Sequence, residues 1–391
     1  MKFVHQAWER TRGLLPRESF VFDRPLVLLQ SDDWGRVGLR DREGLAELRA
    51  AGIKLGERTY DFYTFETAED VACLHSVLAR HRDATGRPPV MVMNFITANL
   101  QCSENSRSSS QLEFLSLADG LPIGWSRPGL FEAYRAGIAA GVFYPALHGI
   151  SHFCRQAMER HVQDSGARGE LLRTLWKAGT PYIYWRMPWI GYEYWDPEQP
   201  ADERFLSRDA QSESIGQAVG LFAKMFAVMP RSACAPGYRA NADTHRAWSQ
   251  YDVRCAQNGP SALAAPHLDR YGLLHIYRTV EIEPATDESF SLDACLRCAE
   301  ECFAAGVPAV VSMHSINFHS TVQDFRTRAL QFLDEFLAAL EARHPDLLYV
   351  HDDDLYHLVQ TGGYETATGT RKVNVRKQRV RRSGVRGSAQ E

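Results

Sequence analysis

No stretch of about eighteen consecutive apolar residues occurs in this 391-residue chain, which excludes a helix able to cross a bilayer. Met1 to Glu18 lacks an apolar core with a small-residue cleavage site, so no secretory signal is expected. Cysteine is sparse. Eight residues without dense paired spacing argue against a disulfide scaffold and for a reducing, cytoplasmic setting. No motif recurs at a fixed period, which excludes solenoids and propellers. Basic residues do not dominate either. Of a formal charge of −4, residues 366–391 alone hold +7, leaving −11 on the rest. An acidic body is the wrong surface for a nucleic-acid partner. The basic tail reads as solvated and flexible, with weak contact to an anionic membrane surface as its one functional option.

What is present is an alternation. Apolar runs at 24–30, 90–96 and 142–147 predict buried strands, separated by helical patterns over 40–56, 66–83 and 128–140. That order is the signature of βαβ units and a parallel sheet. The Ser-rich stretch 99–111 predicts a loop. The rhythm breaks over about 155–212, an insertion that includes Tyr182 to Trp195, in which seven of fourteen residues are Tyr or Trp. It resumes with a helix at 213–228, a strand at 274–283, a helix at 291–305, a strand at 308–313 and a helix at 322–343. The expected organisation is one α/β-barrel domain over 1–365 followed by the basic tail, 366–391.

Three predicted strands end in metal-ligand or acid–base residues. Asp32-Asp33 follows the first, His148-Gly149-Ile150-Ser151-His152 the third, and His314 the strand at 308–313. Active sites of α/β proteins collect at the carboxyl ends of their strands. Two imidazoles and one carboxylate make an open zinc-type site. A second carboxylate can take a proton from water, and a histidine opposite can protonate a leaving group. That layout suits hydrolysis of an amide or ester.

The order of these motifs resembles the polysaccharide deacetylase family of carbohydrate esterases over roughly residues 22–361. The Asp32-Asp33 pair, His148-x-x-x-His152, the loop Cys234-Ala235-Pro236-Gly237-Tyr238 and the strand ending at His314 match its motifs in sequence. The resemblance implies a distorted (β/α)₇ barrel, with the aromatic-rich stretch inserted. It implies Asp32 as general base, His314 as general acid, and Asp33, His148 and His152 as ligands of a divalent metal, Zn²⁺ first, with Co, Ni or Fe as alternatives. The oxyanion would lie near a backbone N–H of Gly237 or Tyr238. Trp34, Pro236, Gly237, Tyr238, Arg239 and Asn317 are the expected substrate contacts. The implied reaction is removal of an N-acetyl group from an amino sugar in a glycan or its precursor. A non-sugar amide or cyclic imide is the alternative substrate, and an inactive carbohydrate-binding protein the alternative class. One departure stands out: the family's third-motif Arg falls on Cys234, with Arg231 and Arg239 the nearest replacements in sequence.

Other features divide between chemistry and packing. The Tyr/Trp run fits either a glycan groove or the insertion's own small core. Cys295, Cys298 and Cys302 share helical spacing and read as packing. His351-Asp352-Asp353-Asp354 reads as a helix N-terminal cap.

Overall fold

The computed structural model describes residues 17–101, 112–287, 290–366 and 369–380. The run Leu26–Trp34 forms strand β1, buried along its whole length. Burial on both faces is what a parallel sheet under helices requires. Beside it lie β2 (Met91–Phe95), β3 (Phe143–Leu147), β4 (Ser232–Cys234) and β5 (Cys255–Pro260), each parallel to the one before. Strand β6 (Leu274–Arg278) pairs with β5, and its continuation Val280–Glu281 pairs with β7 (Ala309–His314). Strand β7 returns to β1 in parallel register. One segment, 274–281, thus bends from β5 to β7 and closes a seven-stranded ring. The ring is thinnest between β3 and β4, where one register pair, Leu147 and Ala233, joins them. This is the distorted (β/α)₇ barrel expected from sequence.

Helices α1 (Arg42–Ala50), α2 (Ala68–Leu78) and α3 (Leu130–Ala139) precede β3. Within the insertion lie α4 (Arg155–Val162) and α5 (Ala167–Lys177), and its last residues already open α6 (Arg208–Phe226). Then come α7 (Ala242–Gln250), α8 (Leu292–Ala305), α9 (Arg326–Arg343) and α10 (Asp352–Thr361). Local chemistry sets several starts. The Thr67 and Asn241 side chains accept backbone N–H bonds at the N-termini of α2 and α7. Among the described residues no helix is long and apolar enough to cross a membrane.

The barrel interior is apolar at its base, where Leu26, Leu28, Leu274, Ile276 and Val310 pack together. Above them runs a buried polar column. Asp352 accepts from Gln30 Nε2 (2.7 Å), Ser232 Oγ (2.5 Å) and Gln257 Nε2 (2.8 Å). His351 caps α10 as expected, but Asp352 points into the barrel rather than serving only the helix dipole. Burial raises its carboxyl pKa to about 6.

Two expectations are corrected. The tail was expected to be flexible from 366, yet Gly369–Lys372 pairs with Gly363–Thr366, and Val375–Val380 pairs antiparallel with Arg17–Phe22. The physical reason is an open strand edge at 17–22 met by β-branched residues at 373 and 375, with Val373 buried. Residues 381–391 and most of the expected loop at 99–111 lie outside the described residues. The Cys triplet also divides: Cys295 and Cys302 are buried on α8, whereas Cys298 is exposed.

Candidate active site

The strand β1 extends through the acidic pair to Trp34, so Asp32 and Asp33 lie in its last three residues and point in different directions. His314, the last residue of β7, is the register partner of Asp32. The carboxyl ends of β1, β3, β4 and β7 therefore converge on one cavity of about 300 Å³. Asp32, Asp33, His148, His152 and His314 all line it.

Asp33 departs from strand geometry at φ +72°, and its carbonyl oxygen accepts from Tyr63 Oη (2.8 Å) and Ser315 Oγ (3.2 Å). These bonds hold a backbone conformation that L-residues avoid. Its Oδ1 lies 3.1 Å from His152 Nε2 and 3.6 Å from His148 Nε2. Four-coordinate zinc with bonds near 2.1 Å separates its ligands by about 3.4 Å, so the spacing fits a single ion. The donor chemistry agrees. His148 Nδ1 donates to Cys234 O at 2.9 Å, which leaves Nε2 as the lone pair facing Asp33. Burial, with Arg36 nearby, lowers the His152 pKa to about 4, so the ring is neutral as a ligand must be.

Glu193 builds the histidine turn. Its Oε2 accepts from the backbone N–H groups of Ser151 (3.0 Å) and His152 (3.2 Å), and its own N–H donates to His152 O. That brace holds His152 at φ +76°. Gly149, at φ +82°, leaves room for the Glu193 carboxyl, which a Cβ there would approach to 3.1 Å. Burial raises the Glu193 pKa despite these donors.

Asp32 is held by Arg278, the last residue of β6. The guanidinium donates to Oδ1 (2.5 Å) and Oδ2 (2.7 Å), and Asn94 Nδ2 adds a third bond to Oδ1 (2.7 Å). Burial alone would raise the Asp32 pKa, but the Arg278 charge carries it well below the usual carboxylate range. Arg278 is itself 1% exposed and also donates to Tyr238 Oη (2.6 Å) and Ser312 Oγ (3.1 Å). It lies 3.9 Å from Cys234 Sγ, so an arginine from a different strand stands beside the position where the resemblance led one to expect it. The candidates near in sequence are elsewhere: Arg231 pairs with Asp252, and Arg239 lies 4.7 Å over the Trp195 ring.

His314 Nε2 is 3.9 Å from Asp32 Oδ2, and its Nδ1 is 2.6 Å from Glu283 Oε1. Desolvation disfavours the imidazolium, but Glu283 and the aspartates outweigh it and raise the pKa to about 9. Glu283 is braced in turn by Asn317 Nδ2 at 2.6 Å.

Several expected substrate contacts are not contacts. Trp34 is fully buried and stacks on Phe318 at 5.6 Å, because the left-handed Asp33 breaks the strand's alternation and turns Trp34 to the outer face with Val27 and Leu29. Asn317 is fully buried and engaged with Glu283 and the Ala285 N–H. Arg239 faces Trp195, and Pro236 is buried beneath its turn. Gly237 and Tyr238 do line the cavity, but the Tyr238 N–H donates to Ala235 O (2.8 Å) and is not available to an oxyanion.

Arg278, Glu283, Glu193 and Arg36 were not singled out from sequence. Arg278 and Glu283 are charges within or just beyond an apolar strand pattern, a signal that was present. Arg36 is the surprise. It is 4% exposed, lies 4.1 Å over the Tyr63 ring, and its Nη1 is 3.0 Å from Asp33 Oδ1. The aromatic run divides its labour. Tyr182, Met187, Trp189 and Ile190 join a core that the insertion shares with Leu45 and Leu48 of α1, while Tyr184, Trp185 and Tyr192 line the cavity.

No family model matches the chain, and no curated protein matches it. Among solved structures it is similar to one described as a glycoside hydrolase/deacetylase from Parabacteroides distasonis, at 11% identity, covering 89% of this chain and 74% of that one, with a TM-score of 0.49. It is similar to one described as a polysaccharide deacetylase from Mycobacterium smegmatis, at 12% identity, covering 86% and 91%, with a TM-score of 0.45. A family 4 carbohydrate esterase from Streptomyces lividans matches at 11% identity over 83% and 90%, with a TM-score of 0.32. At these values the strand order above, not the likeness, carries the fold.

Proposed function

We propose that this chain is a metal-dependent hydrolase that removes an N-acetyl group from an amino sugar in a glycan or glycan precursor. The observation that carries this reading is the opposed acid–base pair beside a ligand triad: His314 Nε2 and Asp32 Oδ2 are 3.9 Å apart, next to Asp33, His148 and His152. Those three residues would hold the ion, Zn²⁺ by their donor types. When bound, such an ion acidifies a water and polarises the carbonyl oxygen. Asp32, kept ionised by Arg278, accepts the proton of the attacking water. His314, kept protonated by Glu283, donates one to the leaving nitrogen. The amide C–N bond breaks, a C–O bond forms, and acetate and a free amine leave.

The surroundings support a sugar. Tyr60, Tyr184, Trp185 and Tyr192 present ring faces on which the apolar side of a pyranose stacks. Trp185 is 47% exposed and also lines an adjoining groove of about 460 Å³ with Glu57 and Glu281, room for the rest of a glycan. The seven described cysteines are unpaired, which supports a cytoplasmic precursor as substrate, such as a nucleotide-linked or lipid-linked sugar.

Arg36 favours a second reading. A guanidinium on Asp33 Oδ1 neutralises the carboxylate a metal would use, as in a binding protein that holds its glycan without hydrolysis. Elemental analysis of wild type and His148→Ala, followed by acetate release from N-acetylglucosamine-type substrates, separates the two. About one ion per chain, lost in the variant, with acetate released by wild type supports the hydrolase. No ion in either protein after reconstitution, with glycan binding retained, supports the binding protein.

A further inference from the structure

A second group of metal-ligand side chains lies on the outer wall of the barrel. Along β6, Leu274 and Ile276 face the interior, so His275 faces outward. It is three residues from Arg278, about 10 Å along the strand, and on the opposite face. Asp269, from the turn before β6, and His245, from α7, meet it there. The three ligand atoms lie within 4.8 Å of one another.

The hydrogen bonds around the group orient its ligand atoms. Asp269 Oδ1 accepts from the backbone N–H groups of Tyr271 (2.7 Å) and Leu273 (3.0 Å), which turns Oδ2 toward the imidazoles. Asn258 Nδ2 donates to Ala256 O (2.8 Å) and Ile276 O (3.1 Å), so both its protons are engaged. Its Oδ1 and Nδ2 lie 3.4 and 3.3 Å from His275 Nδ1, which orients the ring. His275 Nε2 lies 3.3 Å from Asp269 Oδ2. His245 Nδ1 is 3.8 Å from the same oxygen. Edges of 3.3 and 3.8 Å bracket the roughly 3.4 Å that a tetrahedral zinc-type ion imposes.

We propose that His245, Asp269 and His275 form a second divalent transition-metal site, of two imidazoles and one carboxylate, distinct from the cavity at the barrel mouth. Its ligands come from a helix, a turn and a strand, so the ion would pin α7 and the 269–273 turn to the barrel wall. The side chains of His245 and Asp269 are 18% and 13% exposed, so the ion loads from solvent. The rival reading is a plain imidazole–carboxylate hydrogen bond between His275 and Asp269, which takes up no metal.

The test is Co²⁺ titration of the chelator-stripped full chain, read by visible absorption and elemental analysis, on wild type, Asp269→Asn, His245→Gln and His148→Ala. Asparagine keeps the oxygen that receives the backbone donors, so the turn is preserved in Asp269→Asn. His245→Gln removes a ligand from a helix that tolerates glutamine. The expected result is about two ions in wild type and loss of one in each of the three single variants. Retention of the full wild-type complement by both Asp269→Asn and His245→Gln overturns the proposal. So does a wild type that binds one ion, with none left in His148→Ala. If wild type binds one ion that His148→Ala keeps and Asp269→Asn loses, this site stands and the metal reading of the mouth falls.

Discussion

Replacing Arg278 with leucine tests the electrostatic frame of the site without reference to any substrate. The guanidinium gives Asp32 two of its three short hydrogen bonds and sits among acceptors from Tyr238, Ser312, Gln257 and Gln30. Without it Asp32, 3% exposed, keeps one strong donor, Asn94 Nδ2. Breaking a buried ion pair from one side costs about 3–5 kcal/mol, because the remaining charge stays buried. Against typical domain stabilities of about 5–15 kcal/mol the loss is large. Asp32→Asn should also destabilise, since it strands Arg278. The double variant removes both charges and should cost less than the sum, with a coupling of about 2 kcal/mol or more. Urea denaturation at pH 7 of chelator-treated protein, on wild type, both single variants and the double, measures this. The reasoning fails if Arg278→Leu costs under about 1 kcal/mol or the two substitutions are additive within about 0.5 kcal/mol. Arg231→Gln and Arg239→Gln, the sequence-based alternatives, should leave Asp32 unaffected.

Asp32→Asn should retain metal yet lose about 10²–10⁴-fold in turnover, as expected for removal of a general base; acetate release and elemental analysis check both halves. Turnover should fall as pH rises past about 9, where His314 loses its proton. Glu283→Gln removes the charge that raises that pKa, so the alkaline limb of the pH–rate profile should move to lower pH; an unmoved limb would assign it to another group. Asp352 has a folded pKa of about 6, above the unfolded value of about 3.9. Its protonated form is favoured in the fold, so its contribution is full below the unfolded pKa and is lost as pH rises through about 6. The stability of wild type relative to Asp352→Asn should therefore decline by about 2 kcal/mol between pH 4 and pH 7, measured by denaturant midpoints. A flat difference would mean that Ser232, Gln30 and Gln257 already compensate the buried charge.

The sequence by itself determined the parallel barrel and five of its mouth residues. Apolar runs of strand length, each separated by a helical pattern, leave few topologies, and parallel strands bring their carboxyl ends to one side. Residues at those ends, Asp32, Asp33, His148, His152 and His314, must then meet. Side-chain direction was less legible. Trp34 was read as a cavity residue because it follows the acidic pair, but the irregular backbone at Asp33 turns it to the outer face and buries it on Phe318. The tail was read from its charge, whereas the open edge at Arg17–Phe22 recruited it as a strand. Only the tertiary structure decided which cation meets which carboxylate. Arg278 reaches Asp32 from a strand 246 residues away, and Arg36 reaches Asp33 across a single turn. Ion pairing depends on distance and burial through space, and closure of the ring, not proximity along the chain, sets both.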